Sequence, residues 1–169
     1  MSRTVYLDVN GNEIEEVKME NKSKVRGFEV CNGYEGKAVI PKRGSKYSAG
    51  YDFYTPESFT LAPKEAKIIK TGIKAYMQSD EVLQIYIRSS IGIKLNVMNK
   101  NCVAIIDSDY YGNEKTDGNI MLALYNYGDI AQTFNVGDRV CQGVFYKYLT
   151  VDDDKVTATR SGGIGSTGE

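Results

Sequence analysis

The chain has 169 residues, 41% of them hydrophobic and 25% charged, with a formal net charge of −1. That length predicts one domain with a core of its own, and near-neutrality leaves no electrostatic footprint for DNA, RNA or an anionic membrane. Histidine is absent, which excludes Ser-His-Asp and Cys-His catalysis, the common zinc hydrolase sites and zinc deaminases of the H-x-E…C-x-x-C type. A hydrolase made from this chain takes its base from a carboxylate and holds any metal as a hard ion among oxygens.

The start, "MSRTVYLDVNG", lacks a signal-peptide apolar region, and no apolar run nears the ~18 residues of a membrane span. "TVYLDV" and "EIEEV" flank Asn10-Gly11, a hairpin signal. Then come "KVRGFEVC", "KAVI", "YDFYT", "AKIIKTGIKAYM", "EVLQIYI", "CVAIID", "NIMLALYNY" and "RVCQGVFYKYL". These runs alternate or are wholly apolar, the pattern of half-buried and fully buried strands. "SSIGIKL" (89–95) makes at most one short helix, and Asp117-Gly118 marks a second turn. Many short strands without long helices predict an all-β sandwich, jelly roll or barrel. Cys31, Cys102 and Cys141, odd in number and without a C-x-x-C, suit buried free thiols in a reducing cytoplasm.

Four polar clusters interrupt the strands: "SAGYDF" (48–53), "RSS" (88–90), "IDSDYYG" (106–112) and "GDRVCQ" (137–142). Singly each reads as a turn, a helix start or a polar strand end. An EF-hand at 107–118 is excluded, because Tyr111 and Gly118 stand where ligands are required. At the C-terminus "GIGSTG" (163–168) fits G-x-G-x-x-G, but only Glu169 follows, so neither a Rossmann helix nor a Walker Lys-Ser/Thr is present. By composition this stretch is either a disordered tail or, with Arg160 before it, an arm whose main-chain N–H groups can wrap a polyphosphate.

In this order, the four clusters and "RSGGIGSTG" resemble the five motifs of the trimeric dUTPases from about Lys37 onward. Arg88 precedes Asp107 by nineteen residues, and Asn101 stands where the family has its uracil-reading asparagine. The resemblance implies a jelly-roll-like β-clip fold, assembled as a homotrimer with exchanged C-terminal arms. Residues 1–158 would form the β domain, with an N-terminal extension at about 1–30 and an exposed inserted loop at about 111–119. Residues 159–169 would be a flexible arm that covers the phosphates.

The implied activity is hydrolysis of dUTP to dUMP and pyrophosphate by water attack at the α-phosphorus, limiting uracil incorporation into DNA. Such chemistry needs positioning, charge neutralisation and a base, with no covalent nucleophile. By resemblance Asp107 is the base, Ser89 bonds the phosphate chain beside Arg88 and the Ser90 N–H, and Gln142 contacts phosphate through water. Mg2+ would chelate the phosphates, with Asp52 reaching it through water. Uracil would be read on a hairpin around "NKNCVAIID" by Asn101 and the main chain through Ile105 and Ile106. Tyr110 would pack on the deoxyribose, Met121 would join the substrate contacts, and Arg160, Ile164, Gly165 and Ser166 would close over the substrate.

Three features depart from the family. Arg160 lies one residue closer to the glycine pair than usual, Ile164 replaces the aromatic that stacks on uracil, and the stretch between Tyr110 and Ile120 is about six residues longer. Two other functions remain open: dCTP deaminase, which has a similar fold, and regulation through a repressor protein partner, known for some bacteriophage members and suited to segments 1–30 and 111–119. No membrane or direct nucleic-acid partner is expected.

Overall fold

A computed structural model describes residues 6–7, 13–14 and 24–158. β1 (Tyr6–Leu7) and β2 (Glu13–Ile14) pair antiparallel on either side of Asn10-Gly11, as that dipeptide predicts. Next come β3 (Gly27–Val30), β4 (Lys42–Arg43), β5 (Tyr51–Tyr54), β6 (Phe59–Leu61), β7 (Ala66–Lys70), β8 (Ile73–Tyr76) and β9 (Glu81–Ile87). One helix, α1 (Ser89–Leu95), leads into β10 (Val97–Asn99) and β11 (Ala104–Asp107). A 3-10 turn, Ser108–Tyr110, precedes β12 (Met121–Asn126), β13 (Gln132–Phe134) and β14 (Arg139–Lys147).

The central sheet has the order β11-β9-β14-β5-β4, every neighbour antiparallel. Its period-2 alternation sends Phe53, Leu83, Ile85, Ile106 and Cys141 into the core. Gly143 is required on that inner face: a Cβ there would stand 2.9 Å from both Leu83 Cδ1 and Phe53 Cε2. A second sheet, β10-β12-β7, and the pairs β6-β13 and β3-β8 close around the same core.

Several expectations need correction. "KAVI" is not a strand; it follows Gly33 and Gly36, both at positive φ, and Val39 and Ile40 are exposed. "AKIIKTGIKAYM" is two strands, broken at Gly72, whose φ of 70° suits glycine. The short strands β4, β6, β10 and β13 carry too few residues for a periodic signal. Residues 27–30, assigned by sequence to an extension, form β3: Phe28 packs edge-on against Phe53 with ring centroids 5.5 Å apart. Burial holds for Cys31 and Cys141, whereas Cys102 is exposed in the turn before β11.

The segment "NKNCVAIID" is a corner between sheets and not a hairpin, because β10 pairs with β12 while β11 pairs with β9. Cys102 turns it at φ 62°, and buried Asn99 holds it by donating from Nδ2 to Ile85 O at 3.0 Å.

The stretch 111–119 is not a free excursion. Asp117 and Gly118 turn at φ 55° and 75°, as an Asp-Gly pair allows. The Asp117 carboxylate pairs with Lys74 Nζ at 2.7 Å and accepts the Asn32 N–H at 2.9 Å. Asn119 Oδ1 accepts the Gly72 N–H at 3.0 Å. Tyr111, Gly112, Glu114 and Lys115 are exposed, whereas Asn113, Gly118 and Asn119 are buried.

Candidate active site

Five of the sequence-selected residues meet in one cavity of about 320 Å³: Asp52, Arg88, Ser89, Ser90 and Gln142. The strand register explains why. Asp52 on β5 stands opposite Gln142 on β14, which stands opposite Tyr86 on β9. Directly opposed residues share a sheet face, and here it is the outer one. Arg88, two residues beyond Tyr86, caps α1 without a side-chain bond. The Ser89 and Ser90 amides sit in the first turn, where helix geometry supplies no acceptor.

The sequence motif does not single out Arg139 as a cavity residue. Three positions separate it from Gln142, which in a regular strand would put the two on opposite faces. A bulge between Arg139 and Cys141 adds one residue, Val140, which turns into the core. Arg139 is thereby re-aimed to the outer face, the usual effect of a bulge beside a site. Its Nη1 lies 3.2 Å from Asp52 Oδ2, while Arg88 Nε lies 2.9 Å from Asp52 Oδ1. Asp52 is thus clamped by two guanidiniums. Gly50 also lines the cavity. A Cβ at Gly50 would stand 2.4 Å from Gln142 Oε1, so this glycine leaves room for the glutamine.

Asp107 is elsewhere. It lies with Ile105, Val82, Gln84 and Tyr148 along a groove of about 340 Å³. Asp107 pairs with Val82, at the start of β9, whereas Arg88 follows its last residue. At ~3.3 Å per residue that separation is roughly 20 Å along one strand. β11 is the edge strand, so half of its main-chain N–H and C=O groups point away from β9.

The remaining candidates are spread out. Asn101 is exposed at the corner before β11, Ile106 is buried in the core, and Met121 is half-buried opposite Lys70. Tyr110 is 7% exposed, and its hydroxyl donates to Asn119 O at 2.9 Å. Arg160, Ile164, Gly165 and Ser166 lie outside the described residues. Burial pushes the Cys31 thiol up to about 11 and that of Cys141 higher still, so neither is a nucleophile at neutral pH. Among the described residues no helix is long and apolar enough to cross a membrane.

Two guanidiniums, two hydroxyls and the first-turn amides of a helix line one cavity of an all-β protein, a set of groups suited to polyphosphates. The dUTPase family model matches residues 36–168. The deoxyuridine 5'-triphosphate nucleotidohydrolase of Lactococcus lactis is 44% identical over 148 residues, covering 86% of this chain and 99% of that protein. The chain belongs to the dUTPase family. The crystal structure of the dUTPase from Streptococcus mutans superposes with a TM-score of 0.71 at 37% identity, covering 75% of this chain and 98% of that one. The dUTPase of Staphylococcus bacteriophage 80alpha shares the fold at a TM-score of 0.66 and 20% identity, over 82% of this chain and 100% of that one.

Proposed function

We propose that this dUTP diphosphatase works at sites shared between neighbouring copies of a homotrimer, Asp107 of one copy facing the Asp52–Arg88 cavity of the next. The observation that carries this is the separation of the two halves along β9: both lie on one outer face, yet roughly 20 Å of strand divides them. A base must come within hydrogen-bond reach of the water it activates, and a single copy does not allow that.

The triphosphate lies against Arg88, Arg139, Ser89 Oγ and the Ser90 N–H, with Gln142 reaching phosphate through a water. Asp107 orients a water on the α-phosphorus and takes its proton. The new P–O bond forms as the bond to the bridging oxygen breaks, and the charge that develops on pyrophosphate falls on the guanidiniums. Uracil is read by main-chain groups of β11 at Ile105 and Ile106, with the Asn101 amide, and Tyr110 faces the deoxyribose. The arm 159–169 brings Arg160, Ile164, Gly165 and Ser166 over the substrate.

Mg2+ fits as an ion carried in on the triphosphate. Asp52 is the one carboxylate lining the cavity, both its oxygens hold arginines, and no three-ligand cluster exists among the described residues. Asp52 would hold such an ion through water, and the ion would supply neutralisation of phosphate charge.

The name of the Lactococcus relative favours hydrolysis over dCTP deamination. A cytoplasmic location accords with the two buried thiols. The exposed side chains Glu114 and Lys115 are the ones on the 111–119 loop that a repressor-binding role would use. Its test is loss of repressor binding with intact hydrolysis when both are exchanged for alanine.

Mixing variants tests the shared site. Arg88→Ala and Asp107→Asn should each be nearly inactive alone. Unfolded and refolded together in equal amounts, they form mixed trimers, each with one site made of two intact halves. Random assembly should then restore about a quarter of wild-type turnover. No restoration, with mixed trimers confirmed by mass, would show that both halves act within one copy.

A further inference from the structure

We propose that the longer loop between Tyr110 and Ile120 positions Tyr110, with Thr116 as the key residue, and so sets discrimination between deoxyribose and ribose. The proposal rests on the assignment of Tyr110 to the sugar made above.

The loop folds back on the tyrosine at both ends. Asn113 Nδ2 donates to Tyr110 O at 2.9 Å and to Thr116 Oγ1 at 2.7 Å. The Thr116 hydroxyl has its single proton within reach of two acceptors, the Tyr110 hydroxyl at 3.3 Å and Asn113 Oδ1 at 3.0 Å, and its main-chain N–H donates to Asn113 Oδ1 at 3.0 Å. The Tyr110 hydroxyl donates onward to Asn119 O, and the Asn113 N–H donates to Tyr110 O at 3.4 Å. Asn113 and Asn119 are both buried. Main chain and phenol of one residue are therefore fixed by three residues of one loop.

The loop is itself moored to the core. Lys74 on β8 pairs with Asp117, Gly72 donates to Asn119, and Tyr111 donates to Glu29 on β3. Gly118 packs with its Cα side so close that a Cβ would stand 2.7 Å from Gly112 N. A loop that served only as a connection would need none of these bonds. A site that must reject one extra hydroxyl needs a wall that does not give, and loosened walls tolerate larger substrates.

Thr116 does not touch substrate on this account; it is a positioning residue. Thr116→Val keeps the shape and removes the hydroxyl. The measurement is the ratio of kcat/KM for dUTP to that for UTP in the wild type and in Thr116→Val, Thr116→Ser, Tyr110→Phe and Tyr110→Ala. Thr116→Val and Tyr110→Phe, which retains the ring but loses its bonds, should each lower the ratio about three- to tenfold, the size of one hydrogen bond. Thr116→Ser should restore it, and the Val variant should lose discrimination through faster turnover of UTP. If Tyr110→Ala lowers the ratio and Thr116→Val does not, the loop has no part in selection and the proposal falls while the sugar assignment stands. If Tyr110→Ala leaves the ratio unchanged, the sugar assignment itself fails. A ratio that stays lowered in the Ser variant would mean general loosening and would also overturn the role of Thr116.

Discussion

At the residue scale, charge and hydrogen-bond geometry decide what each group can do. Asp107→Asn keeps the size of the side chain and removes the proposed base, so turnover should fall at least ~10²-fold, with the far-ultraviolet spectrum unchanged. Pyrophosphate release under saturating dUTP checks it. Gly50→Ala is sharper, because the new methyl would meet the end of a flexible side chain, Gln142 Oε1 at 2.4 Å. The glutamine must swing away, and on the proposed mechanism this removes its water-mediated phosphate contact at little cost to folding. A ~10-fold drop in kcat/KM is expected, in the range of a hydrogen bond to a charged group. Combining it with Gln142→Ala should add little further loss, since both changes remove the same contact. For Ile164 the argument comes from chemistry alone. Base–aromatic stacking is worth roughly 1–3 kcal/mol, so Ile164→Phe should raise kcat/KM for dUTP several-fold if residue 164 covers uracil. Steady-state kinetics of the two proteins decide it.

At the element scale, the strands that carry the site are fastened by ion pairs at their ends. Glu81 opens β9, is buried, and accepts from Arg26 Nε through both oxygens at 3.1 Å and from the Gln78 N–H at 3.1 Å. The Arg26 bond, the main influence, holds its carboxyl below the ordinary value of 4.5. Asp117 is likewise low: burial pushes it up, but the Lys74 bond and the Asn32 N–H pull it down further. A carboxyl depressed in the folded state contributes stability that is complete above its unfolded pKa and is lost as pH falls through the folded one. Thermal stability should therefore be level down to about pH 5 and decline below about pH 4.5, and Glu81→Gln should flatten part of that decline while lowering the melting temperature at neutral pH. A decline of equal steepness in the variant would place the acid sensitivity elsewhere. Deleting 112–118 should also lower the melting temperature, since it removes the Asp117–Lys74 pair and exposes the buried ends at Tyr110 and Ile120. An unchanged melting temperature would show that these bonds contribute nothing.

At the scale of the whole molecule, the outer face of the central sheet carries apolar and aromatic side chains, Ile105, Tyr146 and Tyr148, beside Asp107. In a homotrimer such a face is covered by the next copy, which joins the two halves of the site. Removal of residues 160–169 should leave that assembly intact, because the strands that form the face lie upstream, yet on the proposed mechanism it should reduce turnover strongly, since Arg160 would no longer meet the phosphates. Light scattering together with kinetics separates the outcomes; monomers would assign the arm to assembly.

The sequence alone determined the fold class, the family and the chemical types at the site. Short alternating or apolar runs bounded by turn residues predict strands, and five motifs in a fixed order carry the family resemblance, which implies a phosphate hydrolysis that a histidine-free chain can perform. Tertiary structure decided what depends on register and closure. The bulge that turns Arg139 beside Asp52 adds a single residue, and no local propensity marks it. The crossing of "NKNCVAIID" from one sheet to another follows from which strands β10 and β11 find as partners. The loop 111–119 reads as exposed because Asn, Glu, Lys, Thr and Asp are all polar. Its inner members are buried because they find partners: Asn113 at Tyr110 and Thr116, and Asp117 and Asn119 at residues 32, 72 and 74. Polarity is a property of a side chain, whereas satisfaction of its hydrogen bonds belongs to the surroundings that only the folded chain creates.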